Sequence, residues 1–176
     1  MKENILKLLL LPIILVNCKT NNAKVDTGKS FLPMQIGNYW KMDAQNYTEI
    51  QDTMRIDGKL YYKFYSLIGG DAVSTAYLRI DENNQLKESW PEATGREYIR
   101  AKFNSKVGES FFTLNDRTTN DYKVTVIEKS DKKMSFSFDM IYQDNMKGNP
   151  HQVTYIKGQD IDDGWKSIKI DGKVIK

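Results

Sequence analysis

The sequence predicts an all-β fold. Three observations carry that prediction. After Phe31 apolar and polar residues alternate along most segments, and no segment shows a 3.6-residue apolar period. Asp-Gly and Asn-Asn pairs fall between the alternating runs, where hairpin turns belong. Ten Tyr, seven Phe and three Trp agree, because aromatic residues favour strands and oppose disorder.

The runs follow one another along the chain. "KLYYKFYSLI" at 59–68 puts Leu60, Tyr62, Phe64 and Ile68 on one face. "TAYLRID" turns Ala76, Leu78 and Ile80 inward, with Tyr77 and Arg79 outward. "REYIRAKF" sets Ile99, Ala101 and Phe103 against Tyr98, Arg100 and Lys102. "DYKVTVIEK" aligns Tyr122, Val124 and Val126. In "KMSFSFDMIY", Met134, Phe136, Phe138, Met140 and Tyr142 oppose Ser135, Ser137 and Asp139. Strands of this kind bury one face and wet the other, as antiparallel strands do. Asp57-Gly58 and Asp171-Gly172 read as two-residue hairpin turns. Asn83-Asn84 tolerates positive φ. Gly69-Gly70, Pro91 and "KGNP" at 147–150 mark longer connections.

Residues 35–176 thus hold roughly nine or ten strands, with no helical segment to serve as a parallel crossover. The expected architecture is an antiparallel meander that closes into a lipocalin-like barrel or half-barrel. A two-sheet β-sandwich is the alternative. The chain lacks the C-terminal helix of true lipocalins. A barrel of about eight strands holds its own side chains or one small ligand.

The N-terminus has a different character. "MKENILKLLLLPIILVNC" begins with Lys2 and Lys7 and continues with an uncharged apolar run from Leu8 to Val16. This is the layout of a secretory signal, and it falls short of the roughly 20 apolar residues that span a bilayer. Leu15-Val16-Asn17-Cys18 resembles the bacterial lipobox, with Asn17 departing from the usual Gly, Ala or Ser. The resemblance implies that residues 1–17 are removed and that Cys18 carries a diacylglyceryl group and an amide-linked acyl chain such as palmitate. Two or more chains anchor stably, at about 0.8 kcal/mol per buried methylene. Residues 18–30, the lipidated Cys and polar "KTNNAKVDTGKS", then form a tether to a single β-domain at 31–176. The looser lipobox is similar to those of Bacteroidetes lipoproteins. So is the domain's opening: "FLPMQIGNYWKM", "DTMRIDGKLYYKF" and "AYLRIDENNQL" resemble the Gly-Asn-x-Trp, Gly-Lys-x-Tyr-Tyr and Tyr-Leu-Arg-x-Asp-Glu patterns of uncharacterised members. That resemblance implies an envelope β-domain and brings no catalytic residues. Lys19 and the absence of an acidic stretch after Cys18 imply the outer membrane, facing the periplasm.

Candidate chemistry is sparse. The chain has 26 basic and 23 acidic residues, a net charge of +3, too balanced to point to nucleic acid. The single histidine, His151, stands beside Pro150 and reads as a loop or strand-end residue; no Gly-x-Ser-x-Gly elbow is present. One His and a lipidated Cys cannot supply the four ligands of a zinc site. Asp160, Asp162 and Asp163 in "GQDIDDGW" lack the rest of an EF-hand loop. No enzyme activity, metal or cofactor is therefore expected. Asp52-Thr53-Met54 resembles the O-glycosylation pattern of Bacteroidetes, which makes Thr53 a candidate acceptor. Trp40, Tyr62, Phe64, Phe136, Phe138, Met140 and Tyr142 form either a filled core or a pocket for a small apolar ligand or lipid, with Tyr hydroxyls fixing orientation. The expected function is ligand binding by a membrane-anchored envelope lipoprotein. The alternative is a protein-interaction or structural accessory of the envelope, with no ligand.

Overall fold

A computed structural model describes residues 30–161 and 164–176 of the chain. Cys18 lies outside them, as do Asp162 and Asp163. The described residues form thirteen strands: β1 Tyr39–Lys41, β2 Tyr47–Ile56, β3 Lys59–Ile68, β4 Ala72–Ile80, β5 Gln85–Ser89, β6 Tyr98–Lys102, β7 Ser110–Phe112, β8 Lys123–Lys129, β9 Lys133–Asp139, β10 His151–Ile156, β11 Asp160–Ile161, β12 Ser167–Ile170 and β13 Lys173–Val174. Eight of them make one sheet in the order β13-β12-β1-β2-β3-β4-β5-β6, and five make a second in the order β11-β10-β9-β8-β7. Every pairing is antiparallel. The expected all-β meander is therefore present. The sheets do not close into the expected barrel; the two separate sheets enclose the core between them, an arrangement that agrees with the half-barrel and with the two-sheet sandwich alike.

Local chemistry explains the hairpins. Asp57 and Gly58 both have positive φ, at 49° and 76°, and so do Asp171 and Gly172, at 52° and 81°. Two consecutive left-handed residues match the right-handed twist of the flanking strands. The Gly-Asn-x-Trp stretch is structural as well. Gly37 turns at φ 88° and donates its N–H to Ile50 O at 2.8 Å. Buried Asn38 donates from Nδ2 to Pro33 O at 3.0 Å and accepts the Asp171 N–H at 2.9 Å, which ties the start of the domain to the β12–β13 turn. Trp40 is fully buried, stacks on Phe64 at 6.0 Å and donates its indole N–H to Gln159 O.

The inner face of the large sheet contributes Trp40, Ile50, Phe64, Leu78, Leu86 and Ala101 to the core. The small sheet contributes Phe111, Val124, Val126, Met134, Phe136, Phe138 and Tyr155. Phe103 meets Phe136 and Tyr155 edge-on at 6.3 and 5.3 Å, the offset geometry that aromatic quadrupoles favour.

Three expectations need correction. Leu60 and Ile68 share a face with Phe64 but sit at strand ends and are exposed. The alternation predicts a strand to Tyr142, but β9 stops at Asp139 and residues 141–148 turn, because "QDNMKGNP" is rich in turn formers. Tyr142 accordingly stacks on Phe112 at 6.0 Å. Third, the strict alternation expected of 98–103 fails at a β-bulge: Leu86 pairs with Ala101, but Lys87 pairs with Ile99. Arg100 is the extra residue, and the bulge re-aims it inward.

The outer face of the large sheet carries a charged hub. Buried Tyr61 donates to Glu97 Oε1 at 2.6 Å. Lys59, Arg79 and Lys87 reach the same carboxylate at 3.0, 2.8 and 3.1 Å. Burial alone would raise the Glu97 pKa, but these four donors hold it well below the usual carboxylate range. The hub pins the 90–97 segment over β3–β5.

Candidate functional site

A cleft of about 560 Å³ opens between the inner face of β5–β6 and that of β9–β10. This volume lies within the ordinary range for small-molecule sites. Glu88, Tyr98 and Arg100 line it on one side; Tyr122, Phe138, His151, Val153 and Tyr155 line it on the other. Pairing explains the second wall. His151, Val153 and Tyr155 lie opposite Phe138, Phe136 and Met134 in register, so they share the inward face. Two loops complete the rim, with Trp90, Ala93 and Arg96 from one and Leu114 and Asn120 from the other.

Both loops are held by specific bonds. Ser89 Oγ donates to Arg96 O at 2.9 Å, and the Gly95 N–H donates to Asp57 Oδ2 at 2.6 Å. Buried Asp121 organises the other loop. Its Oδ1 accepts the Leu114 and Asn115 N–H groups at 2.9 and 3.1 Å, and its Oδ2 accepts those of Asp116 and Arg117, both at 3.1 Å. Burial opposes the charged form, yet these amides lower the Asp121 pKa, since a carboxylate bound by several N–H groups is stabilised ionised.

A second cavity of about 240 Å³ adjoins the first. Arg100, Tyr155 and Ile161 line both. Thr48, Phe64, Ser66, Leu78 and Asp160 line only the second. An ion pair stands near the junction. Arg100 Nε and Nη2 both donate to Glu88 Oε2, at 2.8 and 2.6 Å. Burial works against the charge on Arg100, but the neighbouring Glu88 carboxylate more than compensates, and the Arg100 pKa is raised. Burial pushes the Tyr98 and Tyr155 hydroxyls up as well, so both remain protonated donors at neutral pH.

The seven aromatic and Met candidates divide. Phe138 lines the cleft and Phe64 the adjoining cavity. Trp40 and Phe136 are fully buried in the core, and half-buried Tyr62 packs against it. Met140 and Tyr142 follow the end of β9. Thr53 lies half-buried on β2 opposite Tyr62, beside the Asp52 carboxylate, which accepts its N–H at 2.7 Å.

Sequence reasoning missed Glu88, Trp90, Tyr98, Arg100 and Tyr155 as a group. No linear signal joins them, because register and a bulge bring them together. His151, expected at a strand end, is the first residue of β10 and stacks on Phe138 at 5.1 Å. Among the described residues no Ser, Thr or Cys lines the cleft, and no group of three metal-ligating side chains occurs. What the arrangement offers is aromatic surface with an ion pair of buried Glu88 and partly exposed Arg100 at one wall. No protein family, curated protein or solved structure matches this chain, so the functional reading rests on the cleft itself.

Proposed function

We propose that this chain is a lipid-anchored envelope lipoprotein that binds a small apolar ligand or lipid, without catalysis, in the cleft between its two sheets. The observation that carries the reading is the cleft of about 560 Å³ walled by Tyr98, Tyr122, Phe138, Val153 and Tyr155. Apolar walls with a few convergent polar groups are the usual make-up of a ligand site. The anchoring half of the reading comes from Cys18 and the apolar run before it, and the acyl chains would hold the domain at the outer membrane, facing the periplasm. The accessory alternative calls for a continuous exposed apolar patch. Exposed Met54 and Leu60 sit by one hairpin tip, Ile68 and Val73 by another, Val107 in a loop, and Val174 and Ile175 at the end of the chain; these are separate places in the sequence, whereas the cleft gathers its apolar walls in one.

The test uses N-phenylnaphthylamine, an uncharged apolar dye whose fluorescence rises on leaving water. The full chain should bind it saturably, and Val153→Trp, which fills the cleft from β10, should abolish the signal while the melting curve stays cooperative. Absence of saturable binding by the unaltered chain, or unchanged binding by Val153→Trp, would overturn the reading.

A further inference from the structure

The cleft is not a plain apolar hole. Glu88 and Tyr155 are each more than nine-tenths buried, with a side-chain exposure of 8 % for Glu88 and a residue exposure of 2 % for Tyr155. Both line the cleft. Both Arg100 contacts fall on Glu88 Oε2, so Glu88 Oε1 accepts from no described residue, and Arg100 Nη1 and the Tyr155 hydroxyl likewise have no described hydrogen-bond partner. One acceptor, a pair of guanidinium N–H groups and a hydroxyl therefore border a largely aromatic space. These atoms are reachable from the cleft, so a ligand seated there can take up their unused hydrogen-bonding capacity.

Charge decides what that something is. Glu88 and Arg100 neutralise each other. Arg96, the other charged residue on the wall among those described, is paired with Asp116 at 3.4 Å. A ligand carboxylate placed here would stand against Glu88, and a ligand ammonium against Arg100. In a poorly solvated site either like-charge contact is unfavourable. A neutral group that both donates and accepts meets no such opposition. It can donate to Glu88 Oε1, accept from Arg100 Nη1 and exchange a bond with Tyr155.

We infer that the cleft recognises a ligand with an uncharged head bearing adjacent hydroxyl groups, seated on Glu88, Arg100 and Tyr155, with an apolar body against Tyr98, Tyr122 and Phe138. This inference rests on the cleft being the ligand site. The same head chemistry belongs to a glycerol monoester, which brings an acyl chain, and to a free sugar, which brings only the face of its ring to stack on the aromatic walls. One hydroxyl can donate to Glu88 Oε1 and accept from Arg100 Nη1, and a second on the neighbouring carbon is then left for the Tyr155 hydroxyl, so a diol uses all three groups where a single alcohol uses two.

The experiment displaces N-phenylnaphthylamine from the full chain with four competitors: monolaurin, lauric acid, dodecylamine and methyl glucoside. The first three share a twelve-carbon chain and differ in head charge. Monolaurin should displace the dye at roughly tenfold lower concentration than the acid or the amine, since a site built to hydrogen-bond hydroxyls rejects ligands that leave its polar groups unpaired. Displacement by methyl glucoside at concentrations comparable to monolaurin would support the same head chemistry with a sugar as its source; failure of the glucoside alone supports a lipid source. Glu88→Gln removes the neutralising partner of Arg100 and should invert the preference toward lauric acid. Tyr155→Phe deletes one hydroxyl and should weaken monolaurin roughly three- to tenfold while leaving dye affinity unchanged. It also keeps the inference falsifiable if Glu88→Gln does not fold. Dye binding with equal displacement by all three chains would overturn the head-group inference and leave the apolar-site reading standing. No dye binding at all would overturn both.

Discussion

Two phenylalanines on β9 offer a controlled measurement of where the interior is filled. Phe136 is 0 % exposed and Phe138 is 6 % exposed. They point to the same side, two residues apart, and differ in their surroundings. Phe136 meets Phe103, Phe111 and Tyr155 edge-on at 6.3, 6.4 and 5.9 Å, so its ring is enclosed. Phe138 contacts Tyr122 and His151 at 6.2 and 5.1 Å and otherwise borders the cleft. Deleting an enclosed ring costs its transfer free energy plus a term for the new void, about 3–5 kcal/mol for Phe→Ala. At Phe138 the lost volume merges with space that already exists. The void term, about 24 cal/mol per Å³ in a closed core, then largely falls away. What remains is the transfer part, about 1.5–3 kcal/mol. Phe136→Ala should therefore cost about twice as much as Phe138→Ala in urea denaturation, with equal m-values. Since domains of this size have a total stability of about 5–15 kcal/mol, the difference is readily resolved. Equal losses would mean that the cleft is closed in solution and filled by side chains, which would refute the reasoning.

Three further outcomes follow from the same geometry. Glu97→Gln removes the charge that four donors share and should cost about 1–3 kcal/mol. Because the folded pKa of Glu97 lies below its ordinary 4.5, its stabilisation is complete above that value and drains as the pH falls through it; urea midpoints between pH 6 and pH 3 should fall less steeply in the variant, and parallel slopes would contradict the hub. Asp121→Asn leaves one oxygen for four amides and should cost about 1.5–3 kcal/mol, the range for a single charged hydrogen bond, because water reaches the exposed Asp116 and Arg117 amides; hydrogen exchange at residues 114–117 should accelerate, and unchanged exchange would show that the loop is held by other contacts. Mass spectrometry of the mature N-terminal peptide should find a diacylglyceryl group and an acyl chain on Cys18, and an unmodified Cys18 in an uncut chain would sink the anchor.

How much of this was legible in the sequence depended on whether the information was local. Period-2 alternation located β3, β4, β8 and β9 and correctly turned Phe64, Leu78, Val124, Met134 and Phe136 inward. The Asp-Gly pairs gave two turns because the chemistry of positive φ is confined to two residues. Alternation failed where one extra residue entered a strand. Arg100 looks like an outward residue between Ile99 and Ala101, and only the pairing of both neighbours with β5 shows the bulge. Tyr155 has the alternation of any strand residue, and nothing in "HQVTYI" signals that it stands across the interior from Glu88. The site was illegible because it is assembled from β5, β6, β9 and β10, whose juxtaposition is decided by tertiary packing.

The bulge also accounts for why a half-open fold has a cleft at this place. Up to Leu86 the large sheet supplies apolar side chains to the interior, and Phe103 and Phe111 fill the space opposite Phe136. Past the bulge, β5 and β6 turn Glu88, Arg100 and Tyr98 inward instead. Charged groups cannot be close-packed by apolar neighbours without leaving their remaining lone pairs and protons unsatisfied. The Ile99 N–H, between Tyr98 and Arg100, still donates to Thr113 O just past β7 at 2.8 Å, so the two sheets stay joined at the cleft and the opening is not a general splaying. An ion pair that served stability alone would be replaceable by packed hydrophobes at little or no cost. Here it sits beside unfilled volume, with one carboxylate oxygen and one guanidinium nitrogen turned to no described residue. In the proposed reading, that combination is a set of hydrogen-bonding groups left for a polar-headed guest to complete.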